Sequence, residues 1–232
     1  MNSIVERLKE VRQQIESACD QHNRRPESVQ LLAVSKTKPA NAIRELYEAG
    51  QRHFGENYLQ EALEKQQQLT DLDALVWHFI GPIQSNKTRD IAAHFAWVQS
   101  VDRSKIIRRL NEQRPAELPP LQVLIQVNID DEQSKSGVAP NEVAALAADI
   151  AAAGRLTLRG LMTIPAAHAS AAQQQQSFTA MQRLFSALSS QYESVDTLSM
   201  GMSQDITAAI GAGSTMVRVG TALFGARASK KE

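Results

Sequence analysis

Lys36 follows the apolar run Leu31-Leu32-Ala33-Val34 and occupies the setting in this chain that most favours chemistry. In a strand of period two, Leu32, Val34 and Lys36 share one face, and Leu31 and Ala33 make the other face apolar as well. Burial disfavours an ammonium and lowers a lysine pKa, and Lys38 pushes the same way if it points toward Lys36. A neutral amine in that position is a nucleophile toward an aldehyde. The alternative is a lysine lying along a rim with its head group in water, and spacing does not choose between the two.

Other residues suit anion binding. Arg218 stands between Val217 and Val219, where an inward charge needs a ligand or a carboxylate such as Asp196 or Asp205. Gly201 and Gly220 let backbone approach a ligand closely. Ser203 is expected to cap a helix over residues 204–212, whose first N–H groups would favour a phosphate, and Thr221 adds a hydroxyl beside further amides. Such Gly-Ser and Gly-Thr turns also occur as ordinary structural punctuation. His78, after Trp77 in a buried run, fits a hydrogen-bonded core histidine or an acid–base group. Ser134-Lys135-Ser136-Gly137 fits a solvated turn or a lid whose lysine reaches an anion. No metal-ligand spacing is present, and no metal is expected.

These residues need a frame, and the hydrophobic pattern supplies one. Short runs rich in β-branched or aromatic residues alternate with longer segments of helical period, the signature of parallel βα units. Eight strands are expected, over residues 30–36, 52–55, 75–80, 97–101, 122–128, 157–162, 197–200 and 216–220. Ile4, Leu8, Val11 and Ile15 predict an extra helix before them, with Cys19 packed at its end. Eight crossovers close a (β/α)8 barrel of the TIM type, whose chemistry gathers at the C-terminal strand ends. Lys36, Asn57, Tyr58, Asn128, Ser199, Met200 and Arg218 fall at or just beyond such ends. An open doubly wound sheet would carry a glycine-rich turn after its first strand, where this chain has Ser35-Lys36-Thr37-Lys38-Pro39. One domain over residues 1–232 is the expected organisation.

Bulk properties exclude some partners. Lys plus Arg and Asp plus Glu both number 25, so the chain has no general electrostatic footprint for nucleic acid or an anionic membrane. Glu6, Arg7, Lys9, Glu10 and Arg12 interrupt the first apolar stripe, unlike a signal peptide. No apolar run reaches the roughly 18 residues of a membrane span. A single cysteine fits a reducing compartment, and the cytoplasm is expected.

Taken together, Leu32-Ala33-Val34-Ser35-Lys36-Thr37-Lys38, Phe54-Gly55-Glu56-Asn57-Tyr58, Trp77-His78-Phe79-Ile80-Gly81, Gln84-Ser85-Asn86-Lys87, Ser134-Lys135-Ser136-Gly137, Leu161-Met162, Ser199-Met200-Gly201-Met202-Ser203 and Val217-Arg218-Val219-Gly220-Thr221 resemble one family. It is the pyridoxal phosphate homeostasis proteins, whose barrel is similar to the N-terminal domain of alanine racemase, the fold-type III arrangement for pyridoxal 5′-phosphate (PLP). The resemblance implies PLP as a Schiff base on Lys36, with its phosphate near Ser203, Gly220 and Thr221. It implies Arg218 near the pyridine nitrogen, Asn57 lining the pocket, and Met200 and Gly201 beside the ring. Lys38, Tyr58, His78, Lys135, Met162 and Ser199 are further pocket candidates. The implied partners are PLP and related B6 vitamers, with PLP-dependent apo-enzymes as possible recipients.

The family is regarded as maintaining PLP balance without an established reaction, so a PLP carrier is the expected function and a monomer the expected state. An amino-acid racemase is the alternative. That chemistry needs proton donors on both faces of the substrate, the second being a tyrosine delivered by an additional β domain. No such domain is expected before Glu232, and of Tyr47, Tyr58 and Tyr192 only Tyr58 is expected near the barrel mouth. A Schiff-base aldolase would commonly carry its lysine on strand six, where Arg159 and Met162 stand instead.

Overall fold

Runs of Val, Ile, Leu and Phe become buried strands because each is covered on one side by helices and on the other by the barrel interior. The computed structural model describes residues 2–132, 136–165 and 170–225. Its strands are β1 (Gln30–Val34), β2 (His53–Glu56), β3 (Val76–Phe79), β4 (Trp97–Val101), β5 (Leu121–Gln126), β6 (Leu156–Met162), β7 (Thr197–Met202) and β8 (Met216–Val219). They pair in parallel in chain order, and β8 closes against β1. The expected (β/α)8 barrel is the observed one.

Helix α1 (Ile4–Gln21) precedes the barrel. Ser3 Oγ accepts from the Glu6 N–H at 3.1 Å while Glu6 Oε2 accepts from the Ser3 N–H at 2.7 Å, a reciprocal cap. The helix buries Leu8, Val11, Ile15, Ala18 and Cys19, so the cysteine packs as expected. After the strands come α2 (Ala40–Glu48), α3 (Leu59–Gln68), α4 (Thr88–His94), α5 (Ser104–Gln113), α6 (Val143–Ala151), α7 (Ala171–Ser189), α8 (Ile206–Gly211) and α9 (Thr221–Phe224). Helix α1 packs on α2, α8 and α9, and so straddles the seam where the first and last strands meet.

The main core lies between barrel and helices, with Ile43, Leu46, Phe54, Ile91, Phe95, Ile106 and Phe178 fully buried. The interior is different. Strand register sets Leu32, Met162 and Met216 inward, buried apart from that core, together with His78, Gln99, Ser199 and Arg218. Barrel interiors are usually filled with branched apolar side chains, so this polar set is a departure.

Two of the boundaries that move bear on the site. Strand β1 stops at Val34, not at residue 36, and Ser35 to Lys38 form a turn closed by the Lys38 N–H donating to the Ser35 carbonyl at 3.0 Å. Thr37 has φ of 64°, which takes the chain out of a ladder. At the other side, α8 begins at Ile206 and not at residue 204. Asp205 stands at its N-cap position without a side-chain bond to the helix; its Oδ1 accepts the Met202 N–H at 2.5 Å instead. Ser203 is not the cap.

Candidate functional site

The turn that carries Lys36 rests on a buried ionic cluster. Lys65, on α3, places Nζ 2.8 Å from the Ser35 carbonyl, 2.8 Å from Glu56 Oε1 and 2.5 Å from Glu61 Oε1. Ser35 donates its hydroxyl to Glu56 Oε1 at 2.5 Å, and the Thr37 N–H donates to Glu61 Oε1 at 2.5 Å. Ser35 and Thr37, on either side of Lys36, are thus each held by this cluster. Glu56 is wholly buried, and burial pushes its carboxyl above the ordinary range while Lys65 opposes the rise. Backbone strain of the Thr37 kind persists only where surrounding contacts over-determine it, and these contacts do so.

Lys36 itself is half-buried. Lys38 Nζ donates to the carbonyls of Phe224 at 3.2 Å and Gly225 at 3.3 Å, tying the exit of β1 to the end of α9. Across the seam, Leu32 of β1 registers with Arg218 of β8. Arg218 is 4% exposed, and burial lowers its pKa to about 10 despite the opposing charge of Asp205. Its Nη1 donates to both the carbonyl and the hydroxyl of Ser199 at 2.8 Å, and its Nη2 to the Thr163 carbonyl at 2.7 Å. The ion pair considered from sequence does not form: Asp196 pairs with Arg159, and Asp205 accepts from Met202 and from Gln174.

The loops after β7 and β8 come together. The Ala222 N–H donates to Ser203 Oγ at 3.5 Å, which joins the Ser203 turn to the start of α9 beside Gly220 and Thr221. Gly201 has φ of 95°, and a Cβ there would lie 2.5 Å from that of Ala209. Met200 and Met162 are fully buried next to this region, and Ser199 registers with Met162. Beyond β2, Asn57 lies under the loop after β3, where a Cβ on Gly81 would fall 2.2 Å from the Asn57 carbonyl oxygen. Among the described residues, Asn57 Oδ1 and Glu56 Oε2 are buried side-chain atoms without a hydrogen-bond partner. Tyr58 is 54% exposed at the same end of the barrel. His78 is fully buried between His53 and Gln99 and stacked on Trp97, the geometry of the core histidine. Ser134 and Lys135 lie outside the described residues.

Residues 7–228 match the family described as alanine racemase, N-terminal domain. The chain is 54% identical over 234 residues, the full length of both proteins, to the pyridoxal phosphate homeostasis protein of Escherichia coli. It belongs to that family.

Among solved structures, PipY of Synechococcus elongatus with PLP bound superposes at a TM-score of 0.83, with 40% identity over 96% of this chain and 100% of that one. Alanine racemase of Corynebacterium glutamicum, at 17% identity and TM-score 0.68, shares the fold over 98% of this chain and 64% of its own. Within this family frame, sequence reasoning missed Lys65. Its surroundings in Leu59–Gln68 look like a solvated helix, and nothing local signals that its ammonium reaches back under β1. Thr163 and Gln99, which carry the interior network, were missed for the same reason.

Proposed function

We propose that this barrel carries PLP on Lys36 as part of PLP homeostasis and has no dedicated reaction of its own. The carrying observation is the seam: the Lys36 turn, held from below by Lys65 and Glu61, adjoins a buried arginine on β8 and the paired loops after β7 and β8. The printed name of the Escherichia coli relative and the PLP in PipY support the same reading.

The residues present fit the group. Asn57 Oδ1 offers a buried acceptor that still needs a donor. Ser203, Gly220 and Thr221 would receive the phosphate, as loops after strands seven and eight of such barrels often do. Met200, Met162 and Ser199 would form the floor, with Lys38 and Tyr58 as outer members and His78 supporting it through Gln99. When bound, PLP supplies an aldehyde that condenses with a lysine amine, releasing water, and a pyridine ring whose electron-withdrawing power depends on protonation of its nitrogen.

Arg218 argues against aminotransferase-like chemistry. Its guanidinium only donates hydrogen bonds, so against a pyridine nitrogen it keeps that nitrogen unprotonated. Racemisation would in addition need a second proton donor opposite the lysine. The barrel acts as the functional unit, as a cytoplasmic monomer, with light scattering at micromolar protein as the check on that state.

The deciding experiment is the visible spectrum of the purified protein with PLP, followed by borohydride reduction and peptide mapping, for wild type and Lys36→Ala. The expected result is a band in wild type that is trapped on Lys36 and absent from the variant. A wild type that stays colourless with PLP overturns the proposal. Steady racemisation of alanine, abolished in Tyr58→Phe, would overturn the carrier reading in favour of an enzyme.

A further inference from the structure

A chain of hydrogen bonds runs down the barrel interior from Arg218. Ser199 Oγ lies 2.8 Å from Arg218 Nη1 and 2.7 Å from Gln99 Oε1. Gln99 Nε2 lies 3.0 Å from His78 Nδ1 and 3.1 Å from Met216 Sδ. His78 Nε2 lies 2.9 Å from His53 Nδ1. The links come from β8, β7, β4, β3 and β2, and Ser199, Gln99 and His78 are each 0% exposed.

The direction of each bond follows from the donors of Arg218 and from the Gln99 amide, whose Oε1 faces Ser199 and whose Nε2 faces His78. A guanidinium has donors and no acceptor, so Ser199 Oγ accepts from Arg218. The serine proton is then given to Gln99 Oε1, which leaves the Gln99 amide nitrogen facing His78. That nitrogen can only donate, so His78 Nδ1 accepts and the imidazole proton sits on Nε2. His78 Nε2–H donates to His53 Nδ1, and the proton of His53 sits on its Nε2 in turn. His53 also lines a cavity of about 360 Å³ at the opposite end of the barrel, with Arg12, Gln30 and Arg52. Burial holds both imidazoles below the ordinary histidine range, in keeping with two neutral rings.

We propose that Ser199, Gln99 and His78 are positioning residues for Arg218: a one-way hydrogen-bond chain fixes the guanidinium and sets both histidines in the Nε2–H tautomer. A lone arginine in a barrel would rotate about its last torsions. Held through Ser199 Oγ, the Ser199 carbonyl and the Thr163 carbonyl, its plane is fixed before any ligand arrives. Networks of this sort strengthen link by link, so cutting one in the middle is felt at its end.

The test has two arms. In long-range ¹H–¹⁵N spectra of the protein without PLP, His78 and His53 should both show protonated Nε2 and bare Nδ1. In Gln99→Met, which keeps length and removes both polar atoms, His78 should become a mixture of tautomers while the folded spectrum persists. Ser199→Ala provides a second cut of smaller volume. The other arm rests on the carrier reading: PLP should dissociate from Gln99→Met roughly tenfold more readily than from wild type, as expected for weakening a charged hydrogen-bond network. A wild-type His78 protonated on Nδ1, or a variant with unchanged tautomer and unchanged PLP retention, overturns the proposal. A colourless wild type with intact tautomers would sink the carrier reading and leave the chain standing.

Discussion

Lys65 Nζ donates to the carbonyl of Ser35 at 2.8 Å, one residue before the lysine that the site is built around. Lys65 is itself buried and shares Glu56 and Glu61 with that turn. The turn that carries Lys36 is therefore held by a second lysine that sequence inspection alone passes over.

Removing that ammonium should be costly. Lys65→Met leaves the wholly buried Glu56 without its cation, and truncating one partner of a buried pair destabilises by about 3–5 kcal/mol. Denaturant midpoints measure this. The pH dependence has a definite sign, because the Glu56 carboxyl is already pushed upward by burial and loses an opposing charge in the variant. Glu56 then takes up a proton more readily in the folded than in the unfolded chain, so the deficit relative to wild type should be smaller at pH 5 than at pH 8. A deficit independent of pH would place the damage elsewhere.

The histidine pair works in the opposite sense. Burial lowers His53 and His78 in the folded state, whereas both are ordinary histidines when unfolded. Their contribution to stability is thus complete above about pH 6.5 and is lost as pH falls below it, at up to about 1.4 kcal/mol per pH unit for each ring. His53→Gln should flatten the slope of stability between pH 5 and 6.5 by up to one proton's worth. Unfolding curves at half-unit intervals would show it.

Gly201 tolerates no side chain. Gly201→Ala forces a left-handed residue and brings a methyl against Ala209 Cβ, so a loss of about 2–4 kcal/mol is expected from backbone and overpacking together. PLP retention should fall with it. A variant as stable as wild type would mean the loop after β7 moves freely.

Ser203 separates the phosphate from the rest of the ligand. Ser203→Ala should weaken binding of PLP several-fold while leaving pyridoxal, which lacks the phosphate, bound as in wild type; paired spectral titrations decide it. Equal losses for both ligands would remove Ser203 from the phosphate cup.

Much of the frame was legible because each strand carries a burial pattern of its own and each crossover a helical stripe. Ser203, Gly220 and Thr221 were likewise visible as glycine and hydroxyl residues at expected strand ends. What the sequence did not reveal depends on backbone angles and long-range approach. A β-branched threonine gives no warning of a positive φ, so β1 was expected to run through Lys36. Helix α8 starts two residues later than Ser203 would set it, and the Asp205 carboxylate at its N-cap position is committed to the Met202 amide. The interior network joins β2, β3 and β4 to β7 and β8, and the Gln99–Ser199 link spans 100 residues that no window of sequence covers.

Leu32 and Arg218 are partners across the last seam to close, which orders events during folding. Lys36 is synthesised early, but the arginine and both phosphate loops arrive only with the final strands. Closing so long a loop is the slow kind of step, since its entropy is lost before the contacts form. A growing or partly unfolded chain exposes an ordinary lysine and no seat for a phosphate. On the proposed reading, loading with the aldehyde would therefore report a finished ring.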